Sequence, residues 1–247
     1  MIRIVDHPFL VLPLALVVQW AAAYLGDLLR RKVRPVPSVE RTDFDIVLTA
    51  TLTLLALLIG FTFSMAVSRY DQRKNFEAQE ANAIGTEYVR ADLLPAETRD
   101  RVRDLLRHYL DERIADYEAP GGARTAADLP AQLWSTMAQS GTAQPNPVTA
   151  LAVSGMNDVL NSQGYTIAAW SNRIPTAAWA LLASTALLAN MLLGYRERRT
   201  DWLVLMVLPL TVSIALFLIA DVDTPNGGVI RVIPTNLVQL SQTLHPR

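Results

Sequence analysis

The residues from Ile46 to Ser68 include no Asp, Glu, Lys or Arg, and the chain runs on from them without a proline into the polar segment RYDQRKNFEAQEANAIGTEYVRADLL. At about 1.5 Å of rise per residue, an uncharged helix of this length crosses roughly 30 Å of hydrocarbon. Core helices of soluble domains are rarely so long and so uniformly uncharged. The reading is one helix from Ile46 to Leu94 that crosses a membrane and continues past it until Pro95 ends it.

Within the span the small and hydroxyl-bearing residues are ordered. Advancing about 100° per residue, Thr49, Thr53, Ala56, Gly60, Ser64, Val67 and Ser68 fall within roughly a third of the circumference, and Asp71 prolongs the line. Leu48, Leu52, Leu54, Leu55, Leu58, Ile59 and Met65 fill the rest. Such a stripe either lets another helix approach closely, as Gly60 and Ser64 at small-xxx-small spacing allow, or it faces water as the lining of a pore.

Three further apolar blocks make the chain a multispan membrane protein. The first, Phe9 to Leu25, is followed by RRKVR, which suits a stop-transfer anchor better than a cleaved signal peptide. Pro35 and Pro37 forbid one continuous helix into the second span, and Thr42, Asp43 and Asp45 supply its start. Ile174 to Tyr195 is span three, GYRERRTD a hinge, and Trp202 to Ala220 span four. A hinge that short predicts an antiparallel pair.

Between spans two and three the pattern is helical throughout. Ala81, Ile84, Tyr88 and Ala91 are expected to pack on partners, with Glu77, Glu80, Glu87 and Arg90 on a solvated face. An amphipathic helix covers Glu97 to Glu118, PGGARTAADLP is a loop, Leu129 to Ala138 a short helix and Gln139 to Pro147 a second loop. Asn146 followed by Pro147 starts a helix that runs to about Ser171. The organisation expected is spans one and two over residues 1–68, a helical extramembrane domain over 69–173, a transmembrane hairpin over 174–220 and a tail over 221–247 ending in an amphipathic piece, Leu237 to Leu244.

Several chemistries drop out. Without cysteine there is no disulfide framework, thiolate nucleophile or cysteine-ligated metal. His7, His108 and His245 stand in no ligand spacing, so neither metal nor cofactor is expected. With 22 basic and 23 acidic residues the chain offers no concentrated basic face for nucleic acid. No grouping of nucleophile, base and orienting residue suggests an enzyme; Tyr88, Tyr109, Tyr117 and Trp134 read as core. The spans hold no interior carboxylate or histidine, which counts against proton-coupled transport.

The junction FTFSMAVSRYDQRKNFEAQEANAIGTEYVRADLLP and the tail segment DVDTPNGGVIRV, joined by the plan of two spans, helical domain and two spans, resemble the prokaryotic bestrophin-like family. Phe61 and Phe63 in span two, and the pattern Arg69, Tyr70, Arg73 just past it, extend the likeness to the bestrophins proper. The resemblance implies an all-α, four-span fold and a homo-oligomer, expected to be a pentamer, conducting small inorganic anions such as chloride. By the resemblance, Gly60, Phe61, Thr62, Phe63 and Ser64 would lie at or beside the constriction of the pore, and Thr49 and Thr53 of the stripe would line it with them. The acidic cluster that binds calcium in animal bestrophins is not matched in the tail, where only Asp221 and Asp223 stand close together.

Two orientations stay open. Arg30, Arg31, Lys32, Arg34 and Arg41, with Arg196, Arg198 and Arg199, place the short connections in the cytoplasm by charge, whereas the resemblance places the helical domain there. The functional expectation is an oligomeric, anion-conducting channel whose pore is lined by the second span, in a bacterial inner membrane and in contact with lipid. The alternative is a membrane-anchored sensor or scaffold binding a partner or ligand through residues 69–173.

Overall fold

The computed structural model describes residues 7–32, 41–118, 128–196, 202–225 and 227–245. Residues 33–40 of the connection after the first span, most of the PGGARTAADLP loop, residues 197–201 of the hinge before the fourth span, Arg3 and Asn226 lie outside the described residues. The described residues form the helices α1 (Pro8–Lys32), α2 (Arg41–Arg90), α3 (Ala96–Glu118), α4 (Leu129–Ala143), α5 (Pro147–Ser171), α6 (Thr176–Arg196), α7 (Trp202–Asp223) and α8 (Thr235–Leu244), with a 3-10 turn at Ala91–Leu93 after α2. No strand occurs among them. Among the described residues, four helical stretches are long and apolar enough to cross a membrane: Pro8–Lys32, Thr42–Leu93, Pro147–Arg196 and Leu205–Asp223. The protein is an all-α, multi-pass membrane protein.

The chain divides into two compact units, Met1–Ser68 with Arg173–Ile230, and Arg69–Asn172 with Arg231–Arg247. The tail expected as one piece is thus split at Ile230. The first unit is built on α1. Helices α6 and α7, expected as a pair, touch each other, yet each packs far more extensively on α1.

In lipid, burying apolar surface gives helices little reason to associate, so close backbone approach and hydrogen bonds carry the packing. Both are present. A Cβ on Gly26 would collide with the carbonyl of Met191, and one on Gly194 with the carbonyl of Ala23, so α1 and α6 cross at near backbone contact. Gln19 donates to the Ser213 hydroxyl at 3.0 Å and accepts from the Asn190 amide at 3.0 Å, which ties α1 to α7 and α6 through buried side chains. Around them pack Val11, Leu55, Leu182, Ala186, Val212 and Leu216. Asp45 does not remain a free helix-start carboxylate: it pairs with Arg196 at 2.6 Å, beside the ring contact of Phe44 and Tyr195.

The motif DVDTPNGGVIRV acquires a structural reason. The Asp221 carboxylate accepts from the backbone N–H groups of Val229 and Ile230, both at 2.8 Å, folding the segment back on the end of α7. A Cβ at Gly228 would strike that carboxylate, so the turn requires glycine there. Asp223 accepts from the Ile174 N–H, and Arg173 donates to the Asp223 carbonyl at 2.6 Å, which fixes the end of α7 beside the start of α6.

The second unit has its own core of Ile84, Val102, Leu106, Leu110, Leu133, Met137, Met156 and Val159. Ala81, Ile84 and Ala91 pack as expected, with Tyr88 partly buried against the cluster. The Asn146 side chain caps α5 by accepting from the N–H groups of Val148 and Thr149, both at 2.9 Å. Helix α4 runs five residues beyond the expected Ala138, to Ala143, and so takes up part of the expected second loop.

Two expectations fail here. Trp134, read as core, is exposed. Glu77, Glu80 and Glu87, read as a solvated face, are all buried. The reason is angular: Arg73, Glu77, Glu80, Ile84, Glu87 and Ala91 recur at alternate spacings of three and four, so they share the inward face of α2 with the apolar residues.

Candidate functional site

Helix α2 presents two faces over its apolar half. Leu48, Leu55, Thr62 and Ala66 are buried, while Thr49, Thr53, Ala56, Gly60, Ser64 and Ser68 are exposed. The stripe is therefore not sealed by another helix of the described chain. Among the described residues, nothing lies within 4 Å of where a Cβ on Gly60 would stand. Phe61 and Phe63 flank the stripe on opposite sides, 70 % and 41 % exposed. Thr53 donates its hydroxyl proton to the Thr49 carbonyl at 2.8 Å, so one of the two polar groups a hydroxyl brings to a membrane helix is satisfied locally.

Arg69, Tyr70 and Arg73 lie on another arc. Arg73 is buried, Arg69 and Tyr70 are half-buried, and Tyr70 packs against the core of the second unit. The structure thus brings Thr49, Thr53, Gly60 and Ser64 onto one open face of α2, which exposed Leu57 shares, with Phe61 and Phe63 at its margins.

The carboxylates missed in the sequence hold the inward face of α2. Glu80 and Arg113 form a buried ion pair, Arg113 also donates to Asp116 at 2.5 Å, and Thr166 donates to Glu80 at 3.0 Å. Burial opposes the charge on Arg113, but the hydrogen bonds and charge of Glu80 more than offset it and hold the guanidinium above its ordinary pKa. Its guanidinium carbon stands 5.9 Å from the Tyr117 ring centroid and 6.0 Å from that of Trp170. Burial pushes the phenols of Tyr109 and Tyr117 up, so both stay neutral.

Glu77 has a different partner. Its carboxylate accepts from the N–H groups of Asn236 and Leu237 at 2.8 and 2.9 Å and from the Asn236 amide at 2.6 Å. A negative charge is thereby set on the positive end of α8, whose first-turn N–H groups lack partners within the helix. Arg103 and Arg107 of α3, both half-buried, flank the Tyr88 ring at 4.7 and 5.3 Å. The signal for Glu77 and Glu80 was present in their register with Ile84 and Ala91. No group of histidine and carboxylate residues suited to a metal ion occurs among the described residues.

A search of the curated proteins returns no match. Among solved structures, a tryptophan-to-alanine variant of a bacterial bestrophin homologue from Klebsiella pneumoniae is similar with a TM-score of 0.66 at 14% identity, over 94% of this chain and 95% of that one. A tyrosine-to-alanine variant of the same homologue gives 0.64 at 15% identity, over 92% and 98%. A further structure of that homologue gives 0.62 at 16% identity, over 96% of each chain. At such identities the likeness carries the fold. The family model for the Bestrophin-like domain matches residues 15–237, and with the span order and α2 as found, the chain belongs to the Bestrophin-like family.

Proposed function

We propose that this protein is the subunit of an oligomeric ion channel in which α2 lines the passage. The observation that carries the reading is the open, uncharged line of Thr49, Thr53, Gly60 and Ser64 on a membrane-length helix whose opposite face is filled by its own bundle. A stripe of small and hydroxyl-bearing residues gains nothing by facing lipid, and the resemblance to bestrophins implies neighbouring copies around an axis for it to face. The homo-oligomer is expected to be a pentamer, in a bacterial inner membrane. Phe61 and Phe63, at the margins of the stripe, would narrow the passage, and such an apolar ring gates by dewetting. Arg69, Tyr70 and Arg73 would anchor the helix where it leaves the span.

For the ion, the resemblance implies an anion such as chloride. One observation favours a cation: the Thr53 proton is given to the Thr49 carbonyl, so the outward side of that hydroxyl is an acceptor. Purified protein in liposomes tests both points. A channel passes small ions down a gradient, and the sign of the reversal potential under a KCl gradient selects anion or cation. Ion-tight liposomes holding folded oligomer would refute the channel and return the sensor or scaffold reading of residues 69–173.

A further inference from the structure

Glu87 is unlike the other buried carboxylates of α2. Its side chain is fully buried, yet neither carboxyl oxygen has a hydrogen-bond partner. Glu77 has the start of α8 and Glu80 has Arg113; Glu87 has instead the backbone of α5. A Cβ on Gly155 would collide with Oε2 of Glu87 and with the Arg90 guanidinium, so α5 comes this close to α2 only because position 155 carries no side chain.

Few charges face the group. Arg90 lies nearby on α2, Asp158 is exposed on α5, and Asp92 in the 3-10 turn is taken at 2.9 Å by Arg103 of α3. Burial pushes the Glu87 carboxyl up to about 8, Arg90 opposing the rise and Asp158 adding to it. At neutral pH the group is an uncharged acid, which a dry site tolerates far better than a carboxylate. Once ionised, it needs hydrogen-bond donors, and the close packing against Gly155 supplies none.

We propose that Glu87 and Gly155 form a proton-controlled latch between α2 and α5: the protonated carboxyl lets the helices close on each other, and the carboxylate opens them to water. The latch lies wholly in the second unit and goes beyond the channel reading. Its bearing on ion flux rests on that reading; the exchange experiment below does not.

The sign follows from linkage. The closed form holds a proton that the open form releases, because its carboxyl titrates near 8 against an ordinary 4.5. Closure is therefore strongest below the ordinary value and weakens as pH rises, until the loss levels off above about 8. Hydrogen exchange on the full-length protein in nanodiscs reads this directly, as protection of the α5 amides around Gly155 after correction for the intrinsic rate. Protection is expected to be about 100-fold weaker at about pH 9.5 than at about pH 6, and the Glu87→Gln variant to show no such fall. An unchanged wild-type protection, or an equal fall in Glu87→Gln, would overturn the latch. Should that variant fail to fold, Asp158→Asn keeps both latch residues and removes an exposed charge. It should move the midpoint of the fall to lower pH, and an unmoved midpoint would overturn the assignment to Glu87.

Discussion

Replacing Gly60 separates conduction from folding more cleanly than any other change on α2. Among the described residues, nothing lies within 4 Å of a Cβ at this position, so a methyl group there displaces none of them. Gly60→Ala should raise intrinsic helix stability by about 1 kcal/mol per subunit, the usual gain on replacing a helical glycine. Gly60→Leu keeps a good helix former but projects an isobutyl group along the line of Thr53 and Ser64. If copies of α2 surround a passage, symmetry repeats that group at one level. A tenfold drop in flux needs only about 1.4 kcal/mol of added barrier, which five subunits would share at about 0.3 kcal/mol each. The assay pairs tracer flux into liposomes with thermal unfolding in detergent. The expected result is at least tenfold slower flux for Gly60→Leu with a melting temperature no lower than wild type. Unchanged flux with Leu in place would refute the placing of Gly60 on the passage, and a marked loss of stability in both variants would mean that the position is packed.

Other changes test the frame that holds α2. Arg113→Met leaves Glu80 and Asp116 buried without their cation, and removing one partner of such a pair costs about 3–5 kcal/mol. Adding Glu80→Gln should recover part of that loss; a double variant whose cost is the plain sum of the single ones would show the pair to be uncoupled. Gly194→Val forces a branched side chain against the Ala23 carbonyl and should separate α1 from α6, seen as a fall in melting temperature and in the yield of monodisperse protein. Unimpaired stability would mean that the crossing yields easily.

Much of this was legible because membrane helices obey few rules. An uncharged run of span length has almost no other reading, so the four spans and the long α2 followed from the absence of charge. The Asn146 cap and the stop at Pro95 followed from local backbone chemistry. What stayed hidden was which polar residues turn inward. Glu77, Glu80 and Arg113 look solvated in a charge-rich sequence, and only partners 159 and 33 residues away justify their burial. Their register with Ile84 and Ala91 carried the information, overridden by the habit of assigning carboxylates to water. The Asp221 turn was visible as a motif but not as a mechanism, since its acceptors and donors meet only when the segment folds back.

Because the chain has no cysteine, single cysteines can be read along α2 without background. The decisive measurement is the modification of such cysteines by a charged, membrane-impermeant thiol reagent in protein-containing liposomes, followed through its effect on flux. The account predicts reaction and altered flux at positions 49, 53, 60 and 64, and none at 48, 55 and 66. Reaction spread evenly around the helix, or silence at all four stripe positions in protein that still conducts, would contradict it.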